Sequence, residues 1–132
     1  MTSRGHTLIE LAAAVAVLAV LVGASLPRLA VAAESARVDE CGGVLRAIWS
    51  AQRLHRLETG AYAPSLDALA GLDPAIAPRR DPFAYEIVAS GAKGFRARAT
   101  RAGGAWRGSI EIDEGGALSG HVADPEGRRV AP

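Results

Sequence analysis

Cysteine is nearly absent from this chain of 132 residues: Cys41 is the single one, so no intramolecular disulfide can staple the fold. Aromatics are scarce too, with two each of Trp, Tyr and Phe, which limits any globular core to a small one built from Ala, Val, Ile and Leu. Charge of neither sign dominates. There are 15 Lys and Arg against 14 Asp and Glu, a formal net charge of +1, so the basic face that nucleic acid requires is missing. The histidines His6, His55 and His121 lie far apart and lack metal-ligand spacing. No serine sits in a nucleophile-elbow context, and no glycine run follows a strand with phosphate-loop spacing. Together these absences argue against an enzyme, a nucleic-acid binder and a disulfide scaffold.

What the chain does have is one long apolar run. Leu11 to Leu26 is free of charge, and Thr7–Ile9 extend it past Glu10. A helix over residues 6–27 would be about 33 Å long at ~1.5 Å per residue, enough to cross a bilayer core. A removable secretory signal is the rival reading, with Arg4 as its basic start and Ala30-Val31-Ala32 as its cut site. Ordinary signal cores do not begin with a glutamate, and here helical character continues past that cut. A carboxylate at this depth costs a few kcal/mol unless it is paired. Glu10 can snorkel to the headgroups, or it can pair with a positive group on another chain. A free α-amino group made by cleavage between Gly5 and His6 would be a suitable partner.

The stretch Gly5-His6-Thr7-Leu8-Ile9-Glu10-Leu11 resembles the processing site of type IV pilins and type II secretion pseudopilins. The resemblance implies that Met1–Gly5 is a leader removed on the cytoplasmic side by prepilin peptidase. Residue 6 then becomes the methylated N-terminus, through the same peptidase/N-methyltransferase. Glu10 falls at the fifth mature position, as the family pattern requires, and Pro27 falls where many of these proteins carry a helix-kinking proline. His6 departs from the usual Phe.

Residues 28–60 continue as the amphipathic second half of the same helix. Val38, Cys41, Leu45, Ile48, Gln52 and His55 recur every three or four residues, a stripe suited to docking on a sheet. Gly42-Gly43 weakens the helix locally and marks a bend or a close contact, and Gly60 is a fitting stop. Residues 61–82 read as a connecting loop with one short helix, Leu66–Ala70, capped by Ser65 and followed by Pro74, Pro78 and Pro82. From 83 to 123 the pattern alternates with period two between glycine turns, which predicts a three- or four-stranded antiparallel sheet. Phe95, Ala97 and Ala99 form one face, with the arginines of that segment on the other, opposite acids of the next strand. Residues 124–132 read as a loose tail. The fold class is α+β, the pilin fold that the resemblance implies. The passages Thr59-Gly60-Ala61-Tyr62 and Asp81-Pro82-Phe83 also resemble segments that follow the long helix in that family.

Further expectations come only from the resemblance. Asp67, Asp73 and Asp81 are candidate Ca²⁺ ligands, as loop acids are in major pseudopilins; no other cofactor is expected. The partners would be the chain itself, other pilin-like subunits, the inner-membrane assembly platform and membrane lipid, with no nucleic acid. The chain would cross the bacterial inner membrane once, head in the periplasm, and then enter a periplasmic pseudopilus or a surface pilus. Two functions remain open here: a filament subunit assembled through Glu10, or a membrane-tethered periplasmic binding module that uses the leader without polymerising.

Overall fold

A computed structural model of the chain describes residues 7–74, 76 and 79–132; the leader Met1–Gly5, His6 and Pro78 lie outside the described residues. One helix, α1 (Leu8–Thr59), is followed by six strands: β1 (Arg79–Arg80), β2 (Phe83–Ser90), β3 (Phe95–Arg101), β4 (Arg107–Asp113), β5 (Leu118–Ala123) and β6 (Arg129–Val130). The chain divides into two units, Met1–Ala33 and Glu34–Pro132.

In the first unit α1 is built almost wholly from Ala, Val and Leu, residues whose side chains leave the backbone ladder undisturbed. Its assignment as helix runs through Pro27 without interruption, although proline has no N–H to donate to the carbonyl four residues back. Two residues upstream, the Ser25 hydroxyl donates to the Leu21 carbonyl at 2.8 Å, a turn-wise bond common for serine in apolar helices.

The second unit is a small head. The helix ends at Gly60, whose φ of +85° a side chain would resist; its amide donates to the Arg56 carbonyl at 2.8 Å. Most of the stripe predicted from the sequence is the buried face: Val38, Cys41, Leu45, Ile48 and Gln52 are buried, and His55 at its end is half-buried. The sheet is an antiparallel meander in sequence order, β1 to β6. Its inner face is small in the middle, where Ala97 and Ala99 of β3 are wholly buried beside Ile110 and Ile112 of β4. Gly42 marks the close approach of α1 to β5, since a Cβ there would sit 3.3 Å from Leu118 Cδ1. The register Glu86↔Arg98↔Glu111 stacks opposite charges across three strands on the outer face, with Arg98 Nε 2.6 Å from Glu111 Oε1.

Four local expectations change. The sheet has six strands rather than three or four, because β1 and β6 are two residues each and carry no readable period. For the same reason the stretch 124–132 is not a simple loose tail: Arg129–Val130 pairs with β5, and Val130 is buried. Asp124 organises this return by accepting hydrogen bonds from the amides of Glu126 and Arg128 and from the Arg128 guanidinium. In place of the short helix over 66–70 there is a run of turns, with the amides of Leu69 and Leu72 each donating three residues back. Leu66 and Leu69 nevertheless point inward and are buried. Finally, Arg101 faces in with Phe95, Ala97 and Ala99, not out with Arg96 and Arg98.

Candidate assembly site on the N-terminal helix

Thr7 and Glu10 form a reciprocal pair at the start of α1. The Thr7 amide donates to Glu10 Oε2 at 3.0 Å, and the Glu10 amide donates to Thr7 Oγ1 at 3.4 Å. Thr7 is the residue before the first helical position and Glu10 the third within it, so two orphan N–H groups of the helix end are satisfied at once. The carboxylate also lies at the positive end of the helix dipole, where negative charge is favoured. A cap of this type contributes about 1 kcal/mol. Its sequence signal, Thr-x-x-Glu, sits inside Thr7-Leu8-Ile9-Glu10, but Thr7 was not among the residues expected to matter.

Beyond this cap the first half of α1 is bare. Leu8 is 85% exposed, and Ile9, Leu11, Val15, Leu18, Leu21 and Leu26 are all exposed as well. No residue from 7 to 30 is buried. A continuous apolar surface of this size on a soluble chain marks a partner or a membrane. The described residues contain one helix long and apolar enough to cross a bilayer, and it is this one. Ala12, Ala13, Ala14, Ala16, Ala19 and Gly23 keep part of the surface shallow, which lets another helix approach closely. Pro27 lies on the same exposed stretch; Gly5 and His6, the expected processing pair, are outside the described residues.

A second carboxylate on α1 has a different environment. Glu34 is completely buried and is gripped by Arg101, with Nε 2.6 Å from Oε1 and Nη2 3.3 Å from Oε2. Arg37 Nη1 adds a bond to Oε2 at 3.0 Å. Arg101 is fixed in turn by the carbonyls of Ala102 and Gly103 and lies over the Phe83 ring. Burial by itself would raise the Glu34 carboxyl, but the hydrogen bonds and charges of Arg101 and Arg37 outweigh it and hold it below the usual range. The spacing 34-38-41-45-48-52 could have placed Glu34 on the buried stripe, and period two could have placed Arg101 beneath it.

The other candidates are dispersed. Among the described residues no three His, Cys, Asp or Glu side chains gather in a group that could hold a metal, so Asp67, Asp73 and Asp81 do not share a centre. Asp81 precedes Pro82 in a cis peptide between β1 and β2. Cys41 is a packed residue whose thiol burial pushes up to about 11, against a lowering hydrogen bond with Tyr85. His55 is half-buried on α1 and His121 is exposed on β5.

Residues 1–26 match the family model described as the prokaryotic N-terminal methylation motif, the leader signature of type IV pilins and pseudopilins. The matched span contains Gly5, His6 and Glu10 and stops just short of Pro27. No curated protein matches the chain. A motif of this kind is the signature of a precursor that prepilin peptidase processes, and it supports a pilin-like reading of the chain. With the apolar helix behind it, the leader fits anchoring in the inner membrane.

Proposed function

We propose that the chain is a structural subunit of a type IV pilus-like filament or a type II secretion pseudopilus, and not an enzyme. Prepilin peptidase cuts after Gly5 and methylates the new amine of His6. The apolar part of α1 holds the subunit in the inner membrane with its head in the periplasm. On assembly Glu10 exchanges the amide of its own Thr7 for the N-terminal ammonium of a neighbouring subunit.

The observation that carries this reading is the state of Glu10. Its carboxylate is held by a local cap at the start of a helical stretch whose apolar residues are exposed among the described residues. A cap contributes about 1 kcal/mol, whereas an ion pair in low dielectric loses about 3–5 kcal/mol when one partner is deleted. The cap therefore satisfies the carboxylate in a lone subunit without competing strongly against the intersubunit pair. Bulk adhesion comes from the Val and Leu surface, and the ion pair sets the stagger. Contacts that repeat head to tail without closing build a helical filament.

Two substitutions test it. Glu10→Leu leaves membrane insertion intact and abolishes sedimentable assemblies; full assembly by this variant would sink the pairing role and favour a tethered module that does not polymerise. Gly5→Val leaves an uncut precursor, read as intact mass, and a mature mass from that variant would remove the peptidase step.

A further inference from the structure

The second half of α1 carries an outward seam that the head does not use. Ala36, Gly43 and Ser50 recur at seven-residue intervals, and Asp39, Arg46 and Arg53 recur between them; all are exposed. Among the described residues no ion pair engages Asp39, Arg46 or Arg53. Arg53 is held in place by the Trp49 ring, 4.7 Å from its centroid. Gly42 is explained by its contact with Leu118, but nothing lies within 4 Å of a Cβ placed on Gly43. A mid-helix glycine costs about 1 kcal/mol relative to alanine, and nothing among the described residues requires this one. Leu57, one step further along the seam, is 85% exposed.

The order Asp39, Arg46, Arg53 discriminates between registers of two parallel copies. With no stagger, every charge faces its own kind. A stagger of one heptad brings Asp39 to Arg46 but sets Arg46 against Arg53. At two heptads, about 21 Å along the axis, Asp39 meets Arg53 and no like charges face each other. That stagger also lays Leu57 over Gly43 and Ser50 over Ala36, a large side chain into a hollow and small against small.

We propose that this seam docks a second, parallel copy of the chain displaced by two heptads, with Asp39 of one copy paired to Arg53 of the next. The inference rests on the filament reading, which supplies parallel copies; the seam then selects which neighbour along the filament each head-borne helix touches. Charge serves here both as attraction in one register and as repulsion in the other two.

Cysteine cross-linking of the full-length, membrane-expressed chain tests it, with Cys41→Ala as the parent. Ala36→Cys and Ser50→Cys together leave every seam charge in place and face each other only at the two-heptad stagger. Oxidation yields a ladder of disulfide-linked multimers, whereas either cysteine alone yields at least about fivefold less product, since Cα atoms beyond about 7 Å cannot be bridged. Asp39→Arg and Arg53→Asp each lower the sedimentable fraction about tenfold, the scale of a like-charge juxtaposition, and combining them restores it to within about twofold. If the parent sediments but the paired cysteines give no ladder, or the charge swap compounds the loss, the register is wrong and the filament reading stands. If the parent forms no sedimentable assembly, the filament reading itself falls, and this inference falls with it.

Discussion

Glu10 and Glu34 lie on one helix and meet opposite conditions. Glu34 is buried and bound by two arginines of its own unit, whereas Glu10 is exposed and its carboxylate caps its own helix end. The same contrast runs through their surroundings. Near Glu34 the apolar residues of α1 have a sheet to cover them; around Glu10 the apolar residues are exposed among the described residues. The head pairs its buried charges and covers its apolar stripe internally, so it can be read as a folded unit. The N-terminal stretch caps its carboxylate locally but leaves its apolar surface exposed, the condition of a segment that meets a membrane or a partner.

The most damaging way to disturb that contrast is to remove the internal partner. Arg101→Ala strands a buried carboxylate and lowers the stability of the head by about 3–5 kcal/mol, read from urea unfolding of the full chain in detergent by Trp49 and Trp106 fluorescence. Glu10→Ala leaves that midpoint unchanged. The pH dependence follows from the same pair. Arg101 and Arg37 hold the folded Glu34 carboxyl below its ordinary value of 4.5, so the unfolded chain takes up the proton first. The contribution is therefore present above about pH 4.5 and is lost as pH falls through the lower folded value. Asp124 is shifted in the same direction: burial would raise it, but the Arg128 amide and guanidinium outweigh that. Glu34→Gln flattens part of this acid limb, and an unchanged limb would show that the pair does not govern it.

A smaller effect is expected at Gln52, whose side-chain amide exchanges two hydrogen bonds with Ala63, at 2.9 Å to its carbonyl and 2.7 Å from its N–H. Gln52→Ala leaves both backbone groups of a buried residue without those partners and costs about 2 kcal/mol; faster hydrogen exchange at the Ala63 amide accompanies it. The smallest effect is at the sheet's outer face. Arg98 bridges Glu111 at 2.6 Å and Glu86 at 3.7 Å but remains about a third exposed. Arg98→Ala costs less than about 1 kcal/mol, a difference that added salt erases.

Much of this organisation was legible from residue order. The 3.6-residue stripe from Val38 to Gln52 and the period-two alternation of Phe95, Ala97 and Ala99 both repeat enough times to be unambiguous, so the long helix and the meander emerged together. Two-residue strands cannot show a period, which is why β1 and β6 were hidden and the final nine residues looked unstructured. Arg101 departs from expectation for another reason. A charge by itself predicts exposure, yet the position of Arg101 in the alternation is an inward one, and its partner Glu34 is concealed among alanines in the same way. At the N-terminus, Glu10 stood out because a carboxylate beside an apolar run is costly. Thr7 did not stand out, because a threonine there is cheap in any setting and becomes meaningful only once its bonds to Glu10 are seen.

The central claim is that Glu10 leaves its own cap for a neighbour's amine, and zero-length coupling of the assembled protein tests it most directly. Equal amounts of isotopically light and heavy subunits are co-assembled, treated with a carbodiimide and digested. The expected product is an amide joining the N-terminal amine at His6 of one subunit to the Glu10 carboxylate of another, present in mixed light–heavy form. Assemblies that couple only within a single subunit, or not at all at Glu10, would contradict it.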